Sequence, residues 1–538
     1  MGFISNGKIY SNARGKGRIM VELGIILGIY GYLVFSLGIL GRLGKVEIFL
    51  ITIPFLVYGL FRIIRVIREI GEIRVITEIK KDKLIIVILG LLGIQILINF
   101  LGAISPELSF DALWYHLTSA RLYIEHHQIF SFPGWLMWPA NLPRLTEMYY
   151  TAALLFSNEI AAKLIHFFFG LLGLLALFGL LRRYLTLRFA LLGVLTFYTM
   201  LIVGWQSTTT YVDLARTFFE ILALDLFLRW NETKKDVWLW ESAVMVGLVM
   251  ATKILALGTL GAFGILIFLL KEEGIVGIVG RAGKFIGLAL LIVSPWFLFS
   301  FGCTGSSGPS LLPNIVDLIK NFITAPFFLW QATLKPDDII SPIYLIFLPL
   351  VLIFIWKQSA PIKITALYFL LAIFLAPTQS NRYLLPYLPA LTLVTFSILE
   401  KQKDKLVLFV SLVIFTAGLN MGSRMLAARK FVPYLLGKET KTEFLNRNLN
   451  FSYGDFYDVD GWFKNNIQKD DLVLVYGIHN LYYLDFPYVH ESWAKPGTSF
   501  THILVGNNEK LPAKFGNKIL LYQNSQTKVK VYLFGGKI

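Results

Sequence analysis

Residues 105–150 read SPELSFDALWYHLTSARLYIEHHQIFSFPGWLMWPANLPRLTEMYY. This is a polar and aromatic insert between strongly apolar segments. It carries carboxylates at Glu107, Asp111, Glu125 and Glu147, and histidines at His116, His126 and His127. The chain around it has 538 residues, is 56% hydrophobic and only 16% charged, and has a mean hydropathy of +0.64. A soluble domain is about 45–50% apolar and about 25% charged. The long apolar runs therefore predict many membrane-spanning helices, with the insert as a large loop held at one membrane face.

Working outward, charge sets the orientation. A net charge of +16 in a soluble protein would point to nucleic acid. Here Lys and Arg fall in short loops between apolar runs, which excludes nucleic acid and signals topology and anionic lipid. The densest basic cluster is Arg62, Arg65, Arg68, Arg74, Lys80, Lys81 and Lys83. It precedes the third apolar run and is placed in the cytoplasm. Residues 1–104 then hold three spans with the N-terminus inside, and 105–150 lies outside. The basic N-terminal stretch, Lys8 to Arg18, leads into an apolar run long enough to span, without a small-residue cleavage site. The single cysteine, Cys303, excludes an intrachain disulfide.

Residues 151–420 carry the remaining spans. The stretch Val237–Leu270 sets their number. As one helix it would be about 50 Å long, against a hydrocarbon core of roughly 30 Å. Two short spans with a turn near Lys253 keep Lys271, Arg281 and Lys284 inside. The total is then about thirteen spans with the C-terminus outside. Residues 421–538 change character. Short apolar runs at Leu472–Tyr476, Ile503–Val505, Ile519–Tyr522 and Val529–Phe534 alternate with turn residues such as Gly506-Asn507-Asn508 and read as strands. Gly461–Ile467 is a candidate short helix. The fold expected is an all-α polytopic membrane protein with a small extracytoplasmic α/β domain at its C-terminus.

On this topology the polar residues of interest share one side. Glu107 and Asp111 lie in the insert, Asp213 at the start of span six, Lys253 between spans seven and eight, and Arg382 at the start of span twelve. Each has a structural alternative. Asp213 suits the positive end of a helix dipole. Lys253 and Arg382 can snorkel to the interface, although positive charge on the outer side is the less expected sign. Asp111 alone reads as a solvated loop acid. His166 within span four reads as a partner for a neighbouring helix. Trp114, Trp135 and Trp138 read as interfacial aromatics, or as stacking surfaces for a sugar or prenyl chain. No HExxH or Cys/His spacing is present, so a divalent metal is open but unsignalled.

The segment SFDALWYHLTSARLYIEH, followed by NLPRLTEMYY, resembles the first outer loop of bacterial GT-C membrane glycosyltransferases, relatives of the protein O-mannosyltransferases and lipid A aminoarabinose transferases. YVDLARTFFEILAL at Tyr211–Leu224, GLVMATKILAL at Gly247–Leu257, SPWFLFSFGCTG and NRYLLPYLPAL are similar to later segments of that group, in the same order, over roughly Ser105–Leu399. The resemblance implies transfer of a sugar from a polyprenyl-phosphate donor to an extracytoplasmic acceptor, with inversion, at the bilayer surface. It implies acids at Asp111 and Asp213, with Asp111 as base; Glu107, one turn away if the segment is helical, is a further catalytic candidate that would orient rather than react. The resemblance puts donor-phosphate cations at Lys253 and Arg382, and acceptor or sugar contacts at Trp114, Tyr115 and His116. Ala112 stands where the family often has a second acid, which leaves a metal at the loop acid in doubt. The rival classes are a lipid-linked oligosaccharide polymerase or ligase, with a dominant late outer loop, and a transporter or flippase, with charged or broken helices at the midplane.

Overall fold

The computed structural model describes residues 9–70, 82–270, 274–303, 320, 323–324, 340–375, 381–507 and 509–538. Part of the basic cluster (Arg74, Lys80 and Lys81), Lys271, most of the outer loop after Cys303, much of the turn before Arg382, and Asn508 lie outside those residues. Six described helices are long and apolar enough to cross a membrane: Arg18–Ile39, Lys83–Ala103, Glu159–Arg182, Ile275–Ser300, Arg382–Lys401 and Leu406–Leu435. Shorter apolar helices stand at Leu187–Tyr198, Ile254–Leu269, Leu348–Lys357 and Ala360–Phe374. Residues such as Ile86, Val87, Ile94 and Leu97 are exposed along Lys83–Ala103, a surface that only lipid makes favourable.

The centre of the bundle is the helix Asp213–Thr233, packed against Glu159–Arg182 and Asp236–Thr252. It carries too many charges to read as a lipid-facing span, and it is buried on all sides. Charge inside a bilayer is tolerated where it faces the bundle interior and is paired. Accordingly Asp225 pairs with Arg183 and with Arg229, the latter at 2.8 Å, and Glu220 accepts from Thr259 at 2.8 Å and from Tyr368.

The stretch Val237–Leu270 does break in two. The helix Asp236–Thr252 ends at Lys253, which is extended (φ −157°, ψ 120°), and a second helix runs Leu257–Leu269. Other boundaries moved. Span five is interrupted between Tyr198 and Leu201, and the last span continues to Ala428 instead of stopping at Asn420.

The insert differs most from expectation, because it is largely helical and packed. Residues 110–125 form one helix with a π turn over Ala112–His116, closed by Leu117 N donating to Ala112 O. Leu113, Leu117, Ala120 and Tyr123 bury a common face. Its charged and histidine residues disguised that pattern. A further helix, Leu145–Phe156, ends the insert.

The tail forms a five-stranded sheet of β1 (Val473–Tyr476), β2 (Tyr488–His490), β3 (Ser499–Val505), β4 (Leu520–Asn524) and β5 (Val529–Lys537) in the order β2-β1-β3-β5-β4. β1 is parallel to β2 and β3, whereas β5 is antiparallel to β3 and β4. The sequence showed four of these strands; β2, three residues long, is too short to carry an alternation. The expected helix near Gly461 is present at Trp462–Asn466. The domain is not separate from the insert. Leu136 shares a core cluster with Phe456, Val475, Leu504 and Val531. Tyr482 N donates to Leu113 O at 3.2 Å, and Arg121 bonds the carbonyls of Tyr482 and Leu484. Gly134 (φ +84°) lies so close to Ser492 that a Cβ would sit 2.0 Å from its carbonyl oxygen, so only glycine fits this seam.

Candidate active site

Four of the residues singled out from the sequence, far apart in the chain, meet at one end of the bundle. Arg382 Nη1 donates to Asp111 Oδ2 at 2.6 Å, and its Nε lies 3.7 Å from Asp213 Oδ2. Lys253 Nζ donates to Asp213 Oδ1 at 2.7 Å. Two carboxylates and two cations thus alternate, with the planar guanidinium bridging the acids. Each reaches the cluster by local design. Asp111 begins the π turn, a rare helical defect that re-aims the side chains around it. Asp213 opens the central helix, Lys253 sits in the break after Asp236–Thr252, and Arg382 lies in the four-residue turn of helix Asn381–Leu384.

Aromatic rings wall the cluster. Lys253 Nζ stands 4.6 Å from the Tyr383 ring centre, and the Arg382 guanidinium lies 4.9 Å from Tyr211 and 5.1 Å from Tyr383. The Tyr383 hydroxyl also accepts from Arg382 Nη2 at 3.1 Å, and Asp111 N donates to the Tyr211 hydroxyl at 3.2 Å. Burial, with the charge of Asp111 beside it, holds the Tyr115 hydroxyl well above its ordinary pKa, so it stays a proton donor. Tyr211 is pushed up for the same two reasons. The acids differ in access: the Asp213 side chain is 1% exposed and that of Asp111 16%. Asp111 can therefore meet an arriving group, while Asp213 holds Lys253.

Apart from Tyr115, the other sequence candidates fall outside this cluster. Glu107 is buried and saturated. Its Oε1 accepts from Leu108 N and Ser109 N at 2.9 Å each, and its Oε2 from Thr210 N at 2.7 Å and Thr210 Oγ1 at 2.6 Å. It ties the start of the insert to the turn before Asp213. His116 is buried behind the insert, with Nδ1 2.7 Å from Glu147 Oε1, and Arg144 Nη2 is 3.6 Å from the same oxygen. Burial pushes the Glu147 carboxyl up, but Arg144 and His116 outweigh it and hold the group below the usual range. Trp114 donates from Nε1 to Leu136 O at 2.9 Å and packs against Phe110 at the seam with the tail domain. His166 caps the central helix, accepting from Leu214 N on Nε2 at 3.1 Å with its Nδ1 2.9 Å from Thr209 O. His126 and His127 lie beyond the end of helix Leu117–Glu125, away from the cluster. Among the described residues no three His, Cys, Asp or Glu side chains converge as a metal set.

Tyr211, Tyr383 and Arg144 were not singled out from the sequence. Tyr383 follows Arg382 directly, yet only the fold shows one ring shared by two cations.

No protein-family model and no curated protein sequence matches the chain. Among solved structures, ArnT from Cupriavidus metallidurans in the apo state superposes with a TM-score of 0.56 at 12% identity, covering 82% of this chain and 97% of that one. The same protein bound to undecaprenyl phosphate superposes with a TM-score of 0.52 at 13% identity, over 82% and 97% of the two chains. The likeness covers 82% of this chain, and the protein therefore has an ArnT-like fold.

Proposed function

We propose that the protein is an inverting membrane glycosyltransferase that moves a sugar from a polyprenyl-phosphate donor to a hydroxyl acceptor on the extracytoplasmic side. The observation that carries this reading is the Asp111–Arg382–Asp213–Lys253 cluster at one end of an ArnT-like bundle. It supplies a partly accessible carboxylate and two cations together. The ArnT structure bound to undecaprenyl phosphate supports a prenyl-phosphate ligand for such a fold.

The chemistry follows from the charges. The acceptor O–H attacks the anomeric carbon as its proton passes to Asp111. The bond from that carbon to the phosphate oxygen breaks, and the electron pair leaves with the prenyl phosphate. Lys253 and Arg382 neutralise the charge that develops there, Arg382 with a fork suited to two oxygens. Without donor, Arg382 is occupied by Asp111. A donor phosphate competes for the same guanidinium, so its arrival frees the Asp111 carboxylate to act as base. Asp213, Tyr211 and Tyr383 hold the two cations in register.

The test is release of prenyl phosphate by the purified protein from a panel of synthetic prenyl-phosphate pentoses and hexoses, with hydroxyl acceptors. General-base help is worth about 10²–10⁴ in rate, so Asp111→Asn is expected to lose at least about a hundredfold in turnover while donor binding persists. Turnover at the wild-type level in Asp111→Asn would remove the base and, with it, this mechanism.

A further inference from the structure

We propose that a cavity beside the insert is a second anion site that takes a phosphate monoester, distinct from the Asp111–Arg382 cluster and independent of the transfer chemistry. The cavity encloses about 70 Å³ and is lined in part by Glu107, Ser109, Lys163, Trp205, Arg424 and Lys430. A water needs about 10–15 Å³ of such space, so the cavity has room for several waters or one tetrahedral oxyanion.

Three cations face one carboxylate here, and the carboxylate is already used. Both oxygens of Glu107 accept from Leu108, Ser109 and Thr210. Lys163 is buried, and its Nζ donates to Ser105 O at 2.8 Å and Pro106 O at 3.1 Å. An ammonium has three donors, so one is left over. Arg424 donates from Nη2 to Gly204 O at 3.1 Å, while its Nε is buried without any hydrogen-bond partner. Among the described residues neither Arg424 nor Lys430 has an ion-pair partner; Lys430 has ring contact with Phe431 at 5.2 Å. A buried charged group without a counter-ion is costly, and an anion in the cavity within reach of the guanidinium and the two ammoniums offsets that cost.

The site is also built to hold Arg424. A Cβ on Gly204 would lie 2.8 Å from Arg424 Nε and 3.0 Å from its Cδ. Only a bare glycine lets the guanidinium lie this close. Arg424 is next to Met425 and Leu426, which are exposed on an apolar helix, so the rim of the cavity adjoins the lipid-facing surface. Basic residues at the Asp111 end of the bundle oppose the usual distribution of Lys and Arg in membrane proteins, which argues for a ligand. A monoester phosphate presents several oxygens to several donors, which matches one guanidinium and two ammoniums better than a single carboxylate would. Its source is a lipid headgroup or free phosphate.

Titration of the purified full-length protein in neutral detergent separates the outcomes, with phosphatidic acid, phosphatidylcholine and inorganic phosphate as probes. Phosphatidic acid is expected still to bind the Lys253→Ala/Arg382→Ala double variant, in which the donor-phosphate cations are gone, and the Arg424 and Lys430 substitutions are read in that background. It should bind about tenfold or more weakly to Arg424→Gln and to Lys430→Gln, the scale of one charge-assisted hydrogen bond, with Arg424→Lys intermediate. Phosphatidylcholine, which lacks the monoester, should not bind there. Binding of phosphatidic acid alone identifies a lipid headgroup; equal competition by inorganic phosphate identifies the free anion. Lys430 is exposed, so Lys430→Gln keeps the test open if an Arg424 variant folds poorly. The proposal is overturned if wild type binds none of the probes, if Arg424→Gln and Lys430→Gln leave the binding of the double variant as it was at unchanged melting temperature, or if the double variant itself loses binding.

Discussion

Arg382 is the residue on which the candidate site turns, because it touches both acids. Removing it strips a cation from the donor and also leaves Asp111 unpaired. We expect Lys253→Ala and Arg382→Ala each to weaken donor use by about 1.5–3 kcal/mol, read as kcat/KM for a prenyl-phosphate sugar. Arg382→Lys should recover only part of the loss, since one ammonium cannot hold two carboxylates as the fork does. Donor kinetics unchanged in both alanine variants would take these cations out of the site. Glu107 should behave differently from Asp111. Its four accepted bonds come from donors only. An amide placed there turns an N–H₂ toward at least one of them. Glu107→Gln is therefore expected to lower melting temperature and turnover together, by about 1–3 kcal/mol in stability. Asp111→Asn should cut turnover at an unchanged melting temperature. A Glu107 variant with full thermal stability but no turnover would make Glu107 a reacting group after all.

At the scale of elements, the insert and the tail domain form one construction. The π turn points Asp111 at Arg382 while the rest of helix 110–125 packs against residues 482–484. The seam carries a titratable group. His490 is buried against Trp135 and Trp493, and its Nδ1 accepts from Ser492 N at 3.1 Å. Burial first, and then the neighbouring His479, lowers its pKa from 6.5 to about 3. The unfolded chain takes up this proton near pH 6.5, and the folded domain does not. The stabilisation is thus complete above about pH 6.5 and is lost as pH falls toward 3, at up to about 1.4 kcal/mol per unit. Protease release of the tail should increase from pH 7.5 to pH 5. His490→Gln, which keeps an acceptor for Ser492 N but cannot charge, should flatten that profile. An equally steep profile in the variant would place the acid sensitivity elsewhere.

For the whole molecule, the tail domain lies at the same end of the bundle as Asp111, since the Tyr483 hydroxyl donates to Glu107 O at 3.0 Å. The charge of the basic cluster at Arg62–Lys83 predicts a cytoplasmic position, and on that expectation both belong to the outer side. In a Cys303→Ser background, Lys495→Cys in the tail should react with an impermeant thiol reagent in intact cells. Lys235→Cys, in the loop after the central helix, should react only after permeabilisation. The reverse pattern would invert the topology and move the site to the cytoplasm.

The sequence by itself determined the solvent and much of the architecture. Apolar length and basic loops are local quantities, and a bilayer tests each segment almost alone. For that reason the break at Lys253 and a bundle of apolar helices were legible; four of five strands showed as short apolar runs between turn residues, and Asp111, Asp213, Lys253 and Arg382 stood out by their shared side and by the family resemblance. It misread the insert as a loop because helix 110–125 hides a conventional buried face beneath charged and histidine residues. Only the tertiary structure decided which polar groups are free to act. Glu107 and Asp111 are four residues apart and chemically alike, yet one is saturated by Thr210 and the Leu108 and Ser109 amides while the other stays partly exposed. Saturation depends on partners a hundred residues away, and no local pattern encodes them. The pairing of Arg382 with both acids, the burial of His116 against Glu147 and the orphaned Nε of Arg424 have the same origin: each is a contact between distant segments, settled when the helices pack.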